Sequence, residues 1–244
     1  MSIQIENLLI GYRHKRPYKP ITPPLDAKAT NGQLTLLVGA NGTGKSTLLR
    51  TIAGLQPPLG GEIRINGNDI ASLSRQQLAQ TVAIVLTQKV SDQQITVEQV
   101  VAAGRAPYTN YFGQLTSNDH QLVNNAMEMV GIQHLRLKPF VQLSDGEQQK
   151  TLIAKAIAQD TPVILLDEPT AFLDYPTKQQ CFQIMRRLAH QQQKTILLST
   201  HDLDLALPQA DLVWFMQEGK NISRQSPEKI EQLPDFQQFL KKND

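Results

Sequence analysis

The chain has 244 residues, 40% of them hydrophobic, which is enough for one large domain with a substantial core. With 24 Lys and Arg against 22 Asp and Glu, its formal net charge of +2 is too small for an electrostatic nucleic-acid binder, and no basic stripe with interleaved aromatics occurs. A single cysteine, Cys181, excludes an internal disulfide, and no apolar run reaches membrane-spanning length, so the chain reads as soluble, without a signal peptide.

Residues 3–12 alternate apolar and polar as a half-buried strand does. A polar, proline-rich loop follows over residues 13–24, with a local basic run at His14-Lys15-Arg16. Leu34-Thr35-Leu36-Leu37-Val38 then reads as a buried strand, and Thr47-Leu48-Leu49-Arg50-Thr51-Ile52-Ala53 as the opening of a helix. Between them stands Gly39-Ala40-Asn41-Gly42-Thr43-Gly44-Lys45-Ser46, which fits the phosphate-binding pattern G-x-x-x-x-G-K-[ST]. The glycines let successive backbone N–H groups turn inward on phosphate oxygens. Lys45 brings a point charge to the outer phosphates, Ser46 offers a hydroxyl to a magnesium ion, and the helix aims its positive end at the anion.

The stretch Leu55-Gln56-Pro57-Pro58-Leu59-Gly60-Gly61 breaks the pattern, after which Glu62-Ile63-Arg64-Ile65-Asn66-Gly67 alternates into an Asn-Gly turn. Ala83-Ile84-Val85-Leu86 is a short buried strand ending at Thr87-Gln88. Over residues 89–142 the periodicity becomes helical. Thr96-Val97-Glu98-Gln99 has capping-box spacing, and Leu122, Val123, Ala126, Met127 and Val130 mark one helix face that ends at Gly131. Ser144 and Glu147 repeat the capping-box spacing at the start of another helix, in whose first turn Gly146 costs about 1 kcal/mol. Close approach of the backbone to a ligand would justify that glycine.

The strand–helix alternation then resumes. Residues 162–167 form an apolar strand ending in the adjacent carboxylates Asp167 and Glu168. Residues 176–192 form a helix, and Thr195-Ile196-Leu197-Leu198-Ser199 another buried strand just before His201. Residues 212–223 read as a hairpin, and a short helix starts at Pro234. Strands alternating with helices predict a parallel α/β core. A carboxylate at the end of an apolar strand needs a partner, and magnesium held through water suits Asp167. Glu168, one residue on, is placed to polarise an attacking water.

Taken together, these marks resemble the ATP-binding cassette (ABC) ATPases over nearly the whole chain. Ser144-Asp145-Gly146-Glu147-Gln148 resembles the family's signature motif, with Asp145 where the family usually has glycine. Val163-Ile164-Leu165-Leu166-Asp167-Glu168 resembles the Walker B strand, Phe172-Leu173-Asp174 the D-loop, His201 the switch histidine, Gln88 the Q-loop glutamine and Tyr12 the adenine-stacking aromatic. The resemblance implies a P-loop NTPase core of ABC type, with an antiparallel β subdomain, in residues 1–88 and 161–244, and a helical subdomain inserted at residues 89–160. It implies that Glu168, His201 and Gln88 are catalytic. ATP would contact Tyr12, Gly39, Asn41, Gly42, Thr43, Gly44, Lys45, Ser46, Thr47 and Asp174, with magnesium at Ser46, Gln88 and Asp167. Ser144 and Gly146 would close on ATP held by a second copy, in a head-to-tail homodimer.

Val100-Val101-Ala102-Ala103-Gly104-Arg105-Ala106-Pro107-Tyr108 resembles a stretch of importer ATPases for iron–siderophore, haem and vitamin B12. The implied partners are separate membrane permease subunits and, indirectly, an extracytoplasmic substrate-binding protein, with no nucleic acid. The implied place is the cytoplasmic face of the membrane. An alternative in the same family is a soluble ATPase that energises an assembly complex, such as iron–sulfur cluster assembly.

Overall fold

The computed structural model describes residues 2–12, 19–86 and 94–243. Its first part contains strands β1 (Ser2–Leu9), β2 (Gly11–Tyr12), β3 (Lys19–Pro20), β4 (Leu25–Thr30) and β5 (Leu34–Gly39), then helix α1 (Lys45–Ile52). After α1 come β6 (Gly60–Ile65), β7 (Asn68–Asp69), α2 (Arg75–Thr81) and β8 (Val82–Val85). Helices α3 (Val97–Ala102), α4 (Ser117–Met129) and α5 (Asp145–Ala158) follow, with short 3-10 turns between them. The chain then runs β9 (Val163–Asp167), α6 (Tyr175–Gln192), β10 (Thr195–Ser199), α7 (Leu203–Ala206), β11 (Leu212–Met216), β12 (Ser223–Gln225), α8 (Pro227–Ile230) and α9 (Pro234–Asn243).

Six strands form the central sheet in the order β12-β11-β5-β10-β9-β8. All neighbours are parallel except the β11–β12 hairpin. Every residue of β5, β9 and β10 is buried, as strands covered on both faces require. Alternate residues serve two cores. Leu36, Ile164, Leu166, Ile196 and Leu198 face one that also holds residues of α3 to α6. Leu37, Val163, Leu165, Leu197 and Trp214 face the other, filled by α1 and an antiparallel sheet in the order β4-β1-β6-β7.

The Asn66-Gly67 turn joins β6 to β7 with both residues at positive φ, 55° and 81°. The stretch expected to be one strand over residues 3–12 is broken. Its register against β4 and β6 shifts in the middle, Asn7 takes a φ of 47°, and Gly11–Tyr12 leaves to pair with β3. That break carries Tyr12 away from the sheet toward the phosphate loop. Among the elements not anticipated are β4 and α2. β4 has the alternation Leu25, Ala27, Ala29 inward, and α2 opens with a complete capping box at Ser74 and Gln77.

Candidate functional site

The phosphate loop leaves the C-terminal end of β5, and Gly44 (φ 102°) caps α1 in the left-handed region, where a side chain would be strained. At Gly39 an added Cβ would lie 2.5 Å from the carbonyl oxygen of Met216, so only glycine fits beside β11. Thr43 closes the loop by donating its hydroxyl to Ala40 C=O at 2.9 Å. The first turn of α1 carries no acidic residue, so its positive end is uncompensated by the chain itself.

Lys45 is buried, and its ammonium curls back onto the loop, donating to Gly39 C=O at 2.7 Å and Ala40 C=O at 3.1 Å. Burial pushes its pKa down, while the charges of Glu168 and Asp167 push it back up. Loop carbonyls are weaker partners than phosphate oxygens, so this ammonium is available to an incoming anion. Tyr12 lies beside the same loop, its hydroxyl 3.3 Å from the Thr47 hydroxyl. A cleft of about 850 Å³ opens here, lined by Tyr12, Lys19, Ile21, Asn41, Gly42 and Thr43 among others.

The two carboxylates at the end of β9 have different surroundings. Asp167 is buried and accepts the Ser199 hydroxyl at 2.7 Å from the neighbouring β10. Glu168 is half-exposed, and its Oε1 lies 3.0 Å from His201 Nε2. Its backbone is held at a φ of 51°, a costly conformation for a non-glycine residue. Ser199 sustains it, since the Glu168 N–H donates both to the Ser199 carbonyl at 3.1 Å and to its hydroxyl at 3.0 Å. The strand order puts β10 between β5 and β9, all parallel, so the loop, the carboxylates and His201 all stand at the C-terminal ends of three adjacent strands.

Asp174 caps α6, accepting the Thr177 N–H at 3.1 Å, and the Thr177 hydroxyl first and that N–H second lower its pKa. Ser144 and Glu147 form the expected capping box, and the Ser144 hydroxyl donates to Glu147 Oε2 at 3.0 Å. Within one chain the Ser144 hydroxyl thus caps its own helix. Gly146 has a packing reason of its own, since a Cβ there would lie 3.3 Å from the Phe172 carbonyl oxygen of the D-loop. Gln88 lies outside the described residues.

Sequence reading missed Ser199. The available signal was a hydroxyl ending an apolar strand two residues before His201, but it forms no pattern until the strands are aligned. Magnesium suits the donor set, because it prefers few protein oxygens, waters and phosphates, and here the exposed Ser46 follows Lys45 in the loop while the buried Asp167 carboxylate lies near enough to act on that lysine's charge. Among the described residues no cluster of three His, Cys, Asp or Glu side chains forms a dedicated metal cage.

The family model described as ABC transporter matches residues 23–171. The achromobactin transport ATP-binding protein CbrD of Dickeya dadantii is 39% identical over 86% of the chain and 77% of its own length. The iron(3+)-hydroxamate import ATP-binding protein FhuC of Bacillus subtilis is 35% identical over 84% and 75%. Among solved structures, a dimeric bacterial ABC transporter cassette superimposes with a TM-score of 0.81, covering 92% of the chain and 98% of the cassette at 23% identity, a likeness of fold.

Proposed function

This chain belongs to the ABC transporter ATP-binding family and is an ATPase, and we propose that it energises import of an iron chelate or cobalamin through separate membrane permease subunits. The observation that carries the catalytic reading is the convergence of Lys45, Asp167, Glu168 and His201 at the C-terminal ends of three adjacent strands. The stretch around Gly104 and Arg105 and the names of the iron-chelate relatives support the cargo class.

In this reading the loop N–H groups and Lys45 hold the ATP phosphates, and Tyr12 presents its ring to the adenine. Ser46 and Asp167 would hold magnesium, with Gln88, and the ion would neutralise charge on the phosphate oxygens. Glu168 accepts the proton of the attacking water. Its carboxylate is half-exposed and within reach of that water, whereas Asp167 is buried and tied down by Ser199. His201 Nε2, 3.0 Å from Glu168 Oε1, orients that carboxylate and stands ready for the terminal phosphate. Ser144 and Gly146 complete the site from a second copy, and Asp174 contributes a further contact to ATP. A helix N-terminus supplies the anion-binding groups, and Ser144 exchanges its bond to Glu147 for one to phosphate. Hydrolysis then releases the two copies, because the group that joined them has gone.

No helix among the described residues is long and apolar enough to cross a membrane, which suits a subunit bound peripherally to a permease. Glu168→Gln tests the chemistry. It should bind ATP normally, turn over about 10² to 10⁴ times more slowly and accumulate as a dimer on size-exclusion chromatography with ATP. Near-normal turnover would sink the general-base assignment. Co-purification from membranes tests the role. A polytopic partner supports import, whereas recovery with soluble assembly proteins alone would overturn it.

A further inference from the structure

Directly after His201, one carboxylate gathers three segments of the chain. Asp202 has φ −82° and ψ 62°, and the Leu203 N–H donates across it to the His201 carbonyl at 3.0 Å, an inverse γ-turn. The Asp202 side chain is held from two directions. The Thr170 hydroxyl donates to Oδ2 at 2.6 Å, and the Lys178 ammonium donates to Oδ1 at 2.6 Å. Thr170 and Thr200 are buried, their hydroxyls are 3.4 Å apart, and Thr200 Oγ1 accepts the Asp202 N–H at 3.0 Å.

Each of these partners belongs to a different part of the site. Thr170 lies two residues beyond Glu168, on the loop that begins with the strained residue at φ 51°. Lys178 stands in the first turn of α6, where its N–H donates to the carbonyl of the capping Asp174 at 2.9 Å. Asp202 itself is the pivot of the turn that carries His201. Short charge-assisted bonds of this kind have steep geometry, so a shift of the α6 N-terminus is passed to the turn rather than absorbed.

We propose that Asp202 is a positioning residue for hydrolysis, holding His201 in register with Glu168, and that Lys178 is the arm through which the D-loop end of α6 sets that register. The proposal rests on the reading of Glu168 and His201 given above. It supplies a link that reading lacks: the D-loop, which a second copy would touch, is joined by two side chains to the histidine that faces the base.

The test uses the full chain, with steady-state ATP hydrolysis and binding of a non-hydrolysable ATP analogue. Asp202→Asn keeps an acceptor for Thr170 but loses the charge that holds Lys178. Asp202→Asn and Lys178→Met should each lower kcat about tenfold while KM for ATP moves less than about twofold, because the loss is of orientation and not of binding. Lys178→Arg should recover kcat to within about threefold of the parent, and Thr170→Ser should keep a rate that Thr170→Val loses. The imidazole NMR signal of His201, assigned by its loss in His201→Ala, should shift in Asp202→Asn and in Lys178→Met. Thermal unfolding identifies any variant that fails to fold, and Lys178, at the surface end of the network, leaves a variant that keeps the core intact. A KM rise alone, an unmoved imidazole signal, or Lys178→Arg no better than Lys178→Met would overturn the proposal. His201→Ala at the parental rate would remove the underlying reading as well. Asp202→Asn at the parental rate, with His201→Ala slowed, would remove this proposal alone.

Discussion

Arg105→Met should destabilise the protein severely without touching the nucleotide site. Arg105 and Asp119 are both buried, at 5% and 4% exposure, and their side chains meet with Nε donating to Oδ1 at 2.8 Å. Nη1 also donates to the carbonyls of Ala158 and Gln159, each at 3.0 Å, at the C-terminal end of α5. One guanidinium therefore ties the 103–108 turn to α4 and to α5. The neighbouring Gly104 allows this approach, because a Cβ there would lie 2.3 Å from the Lys155 carbonyl oxygen. Three charge-assisted hydrogen bonds at about 1.5–3 kcal/mol each set an upper bound near 9 kcal/mol. The orphaned carboxylate keeps the hydroxyl and N–H of Thr116, at 2.6 and 2.9 Å, which moderates the loss. The expected cost is about 3–5 kcal/mol, as for other buried pairs broken on one side. In a chain of this size that lowers Tm by about 6–20 °C.

Urea and thermal unfolding measure it, with Arg105→Met/Asp119→Asn as the companion. The double variant leaves no buried charge and keeps an acceptor for Thr116, so it should regain at least about 1 kcal/mol over Arg105→Met. Acid adds a third arm. The Asp119 carboxyl is held at about 2, below its ordinary 3.8, by the Thr116 hydroxyl first, the Thr116 N–H second and Arg105 third. A depressed folded pKa contributes stability that is complete above about pH 4 and lost as pH falls through about 2. Removing Arg105 takes away one cause of that depression and leaves burial opposing the charge, so the acid-linked loss of stability should shrink in Arg105→Met. A variant within about 1 kcal/mol of the parent, or a strictly additive double variant, would refute the argument.

Two further outcomes follow from single side chains. Ser199→Ala removes the donor to Asp167 and one acceptor of the Glu168 N–H, so it should cost about 1–3 kcal/mol and raise the magnesium needed for half-maximal hydrolysis. A magnesium dependence identical to the parent's would show that Ser199 does not position Asp167 for the ion. Burial pushes the Cys181 thiol up to about 12, so iodoacetamide at pH 8 should label it only after unfolding, and mass spectrometry showing rapid labelling of the native chain would contradict its placement.

Much of the fold was visible in local pattern because local physics produces it. β5, β9 and β10 are continuous apolar runs, as fully covered strands must be, and the capping boxes at Thr96 and Ser144 close as their spacing predicted. β4 and the break after β1 were less visible. Lys28 and Asp26 dilute the first, and a bulge is invisible to a two-residue period in the second. The Gly146 reading shows the same limit. A glycine in a helix's first turn signals a close neighbour, but the neighbour within the chain is the D-loop carbonyl of Phe172, a contact between segments that no spacing rule connects.

By itself the sequence determined the phosphate loop and the strand-end carboxylates, since each needs only a short run of residues with the right backbone freedom and charge, while the histidine stood out only through resemblance to the family. Tertiary structure alone decided how they meet. The order β5-β10-β9 is a matter of crossover topology and hydrogen-bond register, not of local propensity. It brings Ser199 against Asp167 and Glu168, 32 and 31 residues away along the chain, and Lys178 against Asp202, 24 away. Buried charge requires partners, and folding, not sequence proximity, selects which ones it finds.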